Sequence, residues 1–286
     1  MKDNKMKFTA WGVWWLICFI VMIIISYFVR IFLAEPITIQ GRVRTVIFCA
    51  IFAVLADIIL MKLIFPFIIK ENKAYNTIVH ELSVHGMSEQ LNNYIVEQYN
   101  IVAKKPDTNY MYMINYAIYI AAYYCDVQDY ASAYKYLDSV DCSKLTKDLK
   151  FVSGRHMLMY YYLMKLQVES EAGDKERADS TYQTAADLYG KYGKELNLQE
   201  TAELVFAQYD VLCGKAQYVL DKLESAVYDN DMLMMTKFAV MASAYEKLGN
   251  IEQAKEMWSK AIDHAKNDHN RNTVRRQLKK LETCGK

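Results

Sequence analysis

Apolar residues follow two regimes along this chain. Between Trp11 and Val29, and again between Val46 and Ile69, they are almost continuous; from about residue 71 onward they recur every three or four positions among charged residues. An uncharged run of about 18 residues or more has the length of a membrane-crossing helix, whereas a three- and four-residue recurrence marks one face of an amphipathic helix. Strand-like alternation is scarce, and only three prolines and ten glycines are available to break helices. The expected class is all-α: an N-terminal two-helix transmembrane hairpin followed by an α-solenoid of antiparallel helix pairs.

The pattern divides the chain into a tail (1–10), a hairpin (11–70, with helices about 11–33 and 45–69) and a helical repeat region (71–286). The first run carries Trp11, Trp14 and Trp15 at one end, suited to a membrane interface. The second contains Asp57, Lys62 and Pro66. An acid at mid-bilayer costs roughly 3 kcal/mol, which a dozen Ile, Leu, Val and Phe residues at about −0.3 to −0.6 kcal/mol each outweigh. Lys2, Lys5 and Lys7 precede the first helix and Lys70 and Lys73 follow the second, against Arg42 and Arg44 between them, so both termini are expected to face the cytoplasm. Asp57 stands about 18 Å from the turn along the helix, beyond a direct pair with Arg30. It is read either as an intramembrane contact to a partner or second subunit, or as a tolerated, protonated acid.

In the repeat region a small-residue syntax recurs. Its clearest form is Ala242, Tyr245, Gly249, Asn250, Ala254, Trp258 and Ala261. Upstream, Ala121, Tyr124, Asp129, Ala133 and Leu137 repeat it, then Leu166, Gly173, Asp174, Ala178, Tyr182 and Ala185, then Ala207, Gly214, Val219, Leu223 and Ala226, where Lys215 stands in the cap position. Two helices approach closely only where side chains are small, and aromatics fill the wider parts of their interface. Asn250, with Gln253 three residues on, reads as a capping box. Gly86, with Leu91 and Ile95 after it, marks a degenerate first unit. Turns at 128, 173, 214 and 249 lie 45, 41 and 35 residues apart. Longer helices or inserted turns are therefore expected around Asp141–Arg155 and Tyr189–Gln199, where Ser143, Gly154, Gly190 and Gly193 read as loop or cap residues. A basic amphipathic helix, about 272–283, reads as the terminal cap; such helices can also touch anionic lipid or nucleic acid.

The stretch Ala242–Ala261 resembles a tetratricopeptide repeat, a family with a period of about 34 residues. The resemblance implies that the first helix of each pair lines a concave groove. That places Asn115, Tyr119, Ala122, Tyr160, Met164, Gln167 and Gln208 there, with Thr236, Ser243 and Lys247 from the last unit. The Lys and Asn pattern by which some members hold a peptide carboxylate is not evident. Tyr112, Tyr116, Tyr119 and Tyr123 form one helical stripe, read mainly as packing.

Chemistry changes this picture little. With 34 Lys+Arg against 33 Asp+Glu there is no global field for nucleic acid, and no nucleic-acid partner is expected. The six cysteines show neither a C-x-x-C pair nor a regular spacing, and read as small hydrophobes. His80 and His85 lie five apart, so their rings diverge by about 140° on a helix and cannot share a metal. His264 and His269, beside Asp263 and Asp268, read as a solvated helix terminus. No phosphate loop, nucleophile elbow or acid–base pair emerges, so neither cofactor, metal nor catalysis is expected. The reading is a membrane-anchored adaptor for a protein or peptide partner. Its rival is an accessory subunit of a membrane transporter or assembly, contacting its partner through the hairpin and Asp57.

Overall fold

The computed structural model describes residues 65–104 and 106–284, excepting the side chains of 65–72, 106–109, 146–148 and 284. The expected membrane helices, up to residue 64, and Asp57 lie outside the described residues. Among the described residues, no helix is long and apolar enough to cross a membrane. The chain divides into two compact units, Met1–Ala74 and Tyr75–Lys286, and the repeat architecture belongs to the second.

Every regular element among the described residues is helical. In order they are α1 (Phe65–Val84), α2 (Glu89–Val102), α3 (Pro106–Asp126), α4 (Tyr130–Asp138), a 3-10 helix (Cys142–Asp148), α5 (Val152–Ala172), α6 (Lys175–Leu196), α7 (Gln199–Leu212), α8 (Ala216–Glu224), α9 (Asp231–Lys247), α10 (Ile251–His264) and α11 (Asp268–Cys284). The all-α expectation holds. The long spacings resolve as expected into an inserted 3-10 turn after α4 and a 22-residue α6. Gly154, Gly190 and Gly193, however, lie within helices rather than loops. At Gly193 a Cβ would sit 2.5 Å from the Tyr189 ring, which folds over that position against Phe206. Close approach explains this glycine, not a turn.

Five corners turn on a residue in the left-handed region, Gly86, Gln128, Gly173, Gly214 and Gly249, with φ of +73°, +64°, +76°, +81° and +76°, and Asn197 between α6 and α7 joins them at +53°. Four of these corners share one hydrogen-bond pattern. The amide after the left-handed residue bonds to the carbonyl five residues back: Asp129 to Tyr124, Asp174 to Glu169, Lys215 to Asp210 and Asn250 to Tyr245, at 2.8–3.0 Å. This 6→1 bond satisfies a carbonyl that the helix end leaves free. Side chains then cap some of the following helices. Asp129 accepts from the Ser132 amide at 3.1 Å, and Asp174 from the Arg177 amide at 3.2 Å. The capping box expected at Asn250 does not form, since its side chain makes no cap hydrogen bond. Its backbone angles match those of Asp129 and Asp174, so the corner is ordered by the main chain there.

Small residues occupy the crossings. Ala121, Ala133, Ala178, Ala185, Ala242, Ala254 and Ala261 are wholly buried, as is Val219 where the third unit replaces alanine. The first helices α3, α5, α7 and α9 pack side by side in succession. The second helices α4, α6, α8 and α10 pack on neighbouring first helices but not closely on one another. The first helices thus form one contiguous layer and the second helices a more open one. The leading unit differs: α2 packs on α3, while α1 and α2 do not pair closely, and α1 contributes Ile78 to the core with Tyr75 and Leu82 against it.

Candidate partner-binding groove

The seven residues expected to line a groove all lie on α3, α5 and α7, and none is buried. Tyr160 is exposed and the other six, Asn115, Tyr119, Ala122, Met164, Gln167 and Gln208, are half-buried. Asn115 turns its amide back to the Met111 carbonyl at 3.1 Å, and Tyr160 stacks on His156 at 5.2 Å. Met164 packs against the N-terminal core cluster. Tyr119 lies near Tyr160 and Tyr75; burial first, then the interaction with Tyr75, pushes its phenol well above the ordinary range. Further along, Thr236 and Ser243 bond back to their own helix, at Met232 and Ala239.

An acid that the sequence pattern did not single out stands in this row. Glu171 receives Gln167 Nε2 at 2.9 Å on one oxygen and Cys125 Sγ at 3.3 Å on the other. Glu171 is exposed; the bulk of the neighbouring helices around it raises its carboxyl above the ordinary range, against the pull of the Gln167 bond. Its position four residues after Gln167, on the same helix stripe, was the available signal. Cys125 itself is buried, and desolvation raises its thiol. The arrangement offers aromatic faces, amides and one acid, a surface that can hold a peptide by stacking and hydrogen bonds.

The tyrosine stripe of α3 is flanked by two other helices. Tyr75 of α1 meets Tyr112 and Tyr116 at 5.8 and 6.4 Å, and Tyr116 is buried. Tyr123 stacks on His269 of α11 at 5.7 Å. The expected solvated role of the two late histidines is thereby corrected. His269 Nε2 meets Asp126 Oδ2 at 2.8 Å, and His264 Nδ1 meets Asp231 Oδ1 at 2.9 Å while stacking on Phe238. Their partners lie 143 and 33 residues away, so no local pattern could reveal them. Lys280 also bonds Gln128, and the Asn267 side chain lies so near Gly86 that a Cβ there would be 2.3 Å away. Within Tyr75–Lys286, then, the last helix meets the first corners and forms a seam.

His80 and His85 are exposed, and among the described residues no His, Cys, Asp and Glu side chains group to hold a metal. Comparisons with known protein families, with curated proteins and with solved structures found no match.

Proposed function

We infer that this chain is a membrane-anchored helical-repeat adaptor whose first helices bind a protein or peptide segment, without catalysing a reaction. The anchor is the hairpin read from residues 11–70, with the repeat region on the cytoplasmic side and the fold resembling a tetratricopeptide solenoid. One observation supports the reading: Tyr119, Tyr160, Gln167 and Gln208, on the three successive first helices α3, α5 and α7, each keep accessible surface. Tethering to a surface raises the local concentration of whatever the groove holds, and strengthens modest contacts without new ones.

The test is affinity capture with the full chain in neutral detergent, comparing wild type with a Tyr119→Ala/Tyr160→Ala variant. Loss of specifically recovered proteins from the variant supports the groove. Equal recovery, with helical content unchanged, removes it.

A further inference from the structure

The seam between α11 and the α3–α4 corner borders an open surface cleft of ≈350 Å³. Three cations, Arg276, Lys279 and Lys280, enter its wall, with Gln128 and Thr283 among the other lining residues. Asp126 is the one carboxylate in this wall, and His269 already engages it at 2.8 Å. The cations are not neutralised in the same way. Among the described residues, Lys280 bonds the neutral amide of Gln128, and Arg276 donates only to Asn272 O and Thr273 Oγ1 of its own helix. Lys279 has no ion pair among the described residues.

Several cations elsewhere in the domain are paired, although Lys191, Lys194 and Lys247, like Lys279, have no ion pair among the described residues. Lys175, Lys215, Lys222, Lys255 and Lys260 each pair with a carboxylate at 2.7–3.0 Å, and Arg177 does so at 3.1 Å. Nor does the helix dipole account for the cluster. Its pull on cations is confined to the final turn, and the last turn of α11 contains no basic residue. Unneutralised positive charges converging on a recess, with amide and hydroxyl groups beside them, match an oxyanion carrying more than one negative charge. A guanidinium can hold a phosphate through two parallel hydrogen bonds, and ammonium groups add point charges. A volume of this order holds a phosphate together with part of the group that bears it.

We propose that the seam cleft binds a phosphate group, held by Arg276, Lys279 and Lys280 against Gln128. Because its walls come from opposite ends of the repeat region, the bound group bridges them and tightens the seam. The phosphate can belong to a small soluble phosphate compound or to a lipid headgroup, and the experiment separates these sources.

Full-length protein in neutral detergent is titrated calorimetrically with inorganic pyrophosphate and, separately, with micelles doped with phosphatidic acid. Saturable binding in either arm is expected; the pyrophosphate arm alone assigns a soluble compound, the lipid arm alone a headgroup. The variant Lys279→Gln/Lys280→Gln should weaken binding at least tenfold. A charge-matched control on the exposed face of α6, Lys191→Gln/Lys194→Gln, should change it less than twofold. Circular dichroism checks folding, and Arg276→Gln alone repeats the test with a single change. No saturable binding in both arms, or an equal loss in the α6 control, overturns the proposal.

Discussion

The α9–α10 and α5–α6 pairs turn the same corner with different interiors. Gly249 and Gly173 share a φ of +76°, and both corners close with the same 6→1 bond. Yet four residues before the left-handed glycine, α9 carries Tyr245 and α5 carries Glu169. Tyr124 fills the corresponding place in α3, and Asp210 in α7. The α9–α10 interior is fully satisfied: Trp258 is buried, and its indole N–H donates to Glu246 at 2.8 Å. In α5–α6 the whole Glu169 residue is buried, and neither carboxylate oxygen has a partner in good hydrogen-bond geometry, the Thr181 hydroxyl being near enough only for a weak attraction. Asp210 resolves the same difficulty, since Lys215, which replaces the Asx cap, meets it at 2.7 Å. The backbone thus specifies the corner, while the slot beneath it admits an aromatic, a paired acid or a buried acid.

The largest effect should come from the feature that both pairs share. Ala254 and Ala178 lie wholly buried at the crossings, so Ala254→Leu and Ala178→Leu must push two helices apart. Each should destabilise the fold by about 1–3 kcal/mol by overpacking. Urea denaturation of the detergent-solubilised protein measures it; an unchanged midpoint in either variant would mean that its crossing does not require a small residue.

Second in size is the feature that separates them. Glu169→Met removes the buried, weakly partnered carboxylate while keeping an unbranched side chain, and should stabilise by roughly 1–3 kcal/mol at neutral pH. Burial raises the Glu169 carboxyl above its ordinary 4.5, opposed by the Thr181 hydroxyl and by Lys165 and Arg177. The folded state therefore holds this proton more tightly than the unfolded state does. Wild type should lose stability as pH rises above about 4.5 and through the raised value, and the methionine variant should lack that slope. A constant difference between the two from pH 4 to pH 8 would show that ionisation of Glu169 is not the cause. The reverse change, Tyr245→Glu, should install the same slope in α9.

Much of this architecture was legible because it is local. Left-handed corners at Gln128, Gly173, Gly214 and Gly249 follow from helix-stop chemistry, and the buried Ala133, Ala178 and Ala254 follow from a spacing fixed relative to those corners. The inserted 3-10 turn and the terminal helix were legible for the same reason. Gly193 misled because glycine serves both turns and close approaches, and only the Tyr189 ring tells them apart; a Cβ at Gly190 meets nothing within 4 Å, and that glycine has no such explanation. In the candidate groove, Gln167 and Tyr119 were expected from the tetratricopeptide resemblance, and a further step of four residues from Gln167 along its helix leads to Glu171. Tyr75 and His269, which flank the tyrosine stripe, come from helices remote in sequence, and nothing in their own surroundings announces it.

The corner glycines come third. A Cβ at Gly249 or Gly173 meets nothing within 4 Å, so an alanine there suffers only from its positive φ. Gly249→Ala and Gly173→Ala should each cost about 1 kcal/mol, equally in the two pairs. At Gly86 the same change also drives a methyl into the Asn267 side chain, so Gly86→Ala should cost more and should loosen the seam. Hydrogen exchange in α11 would report that loosening; protection unchanged from wild type would mean that Asn267 simply moves aside.

The smallest effect is the most discriminating, because it separates backbone from side chain at one equivalent position. Asp174 caps α6 through its carboxylate, whereas Asn250 has nearly the same backbone angles without a side-chain cap bond. Removing a cap that forms costs typically about 1 kcal/mol. Asp174→Ala should therefore destabilise by that order, while Asn250→Ala should fall below about 0.5 kcal/mol. Asp129→Ala, which also removes a formed cap, should side with Asp174. Equal losses at Asp174 and Asn250 would mean that the asparagine does cap its helix in solution, and that the corner of α9–α10 depends on its side chain as much as the others do. Unequal losses in the stated direction leave the left-handed glycine and the 6→1 bond as the features that hold that corner.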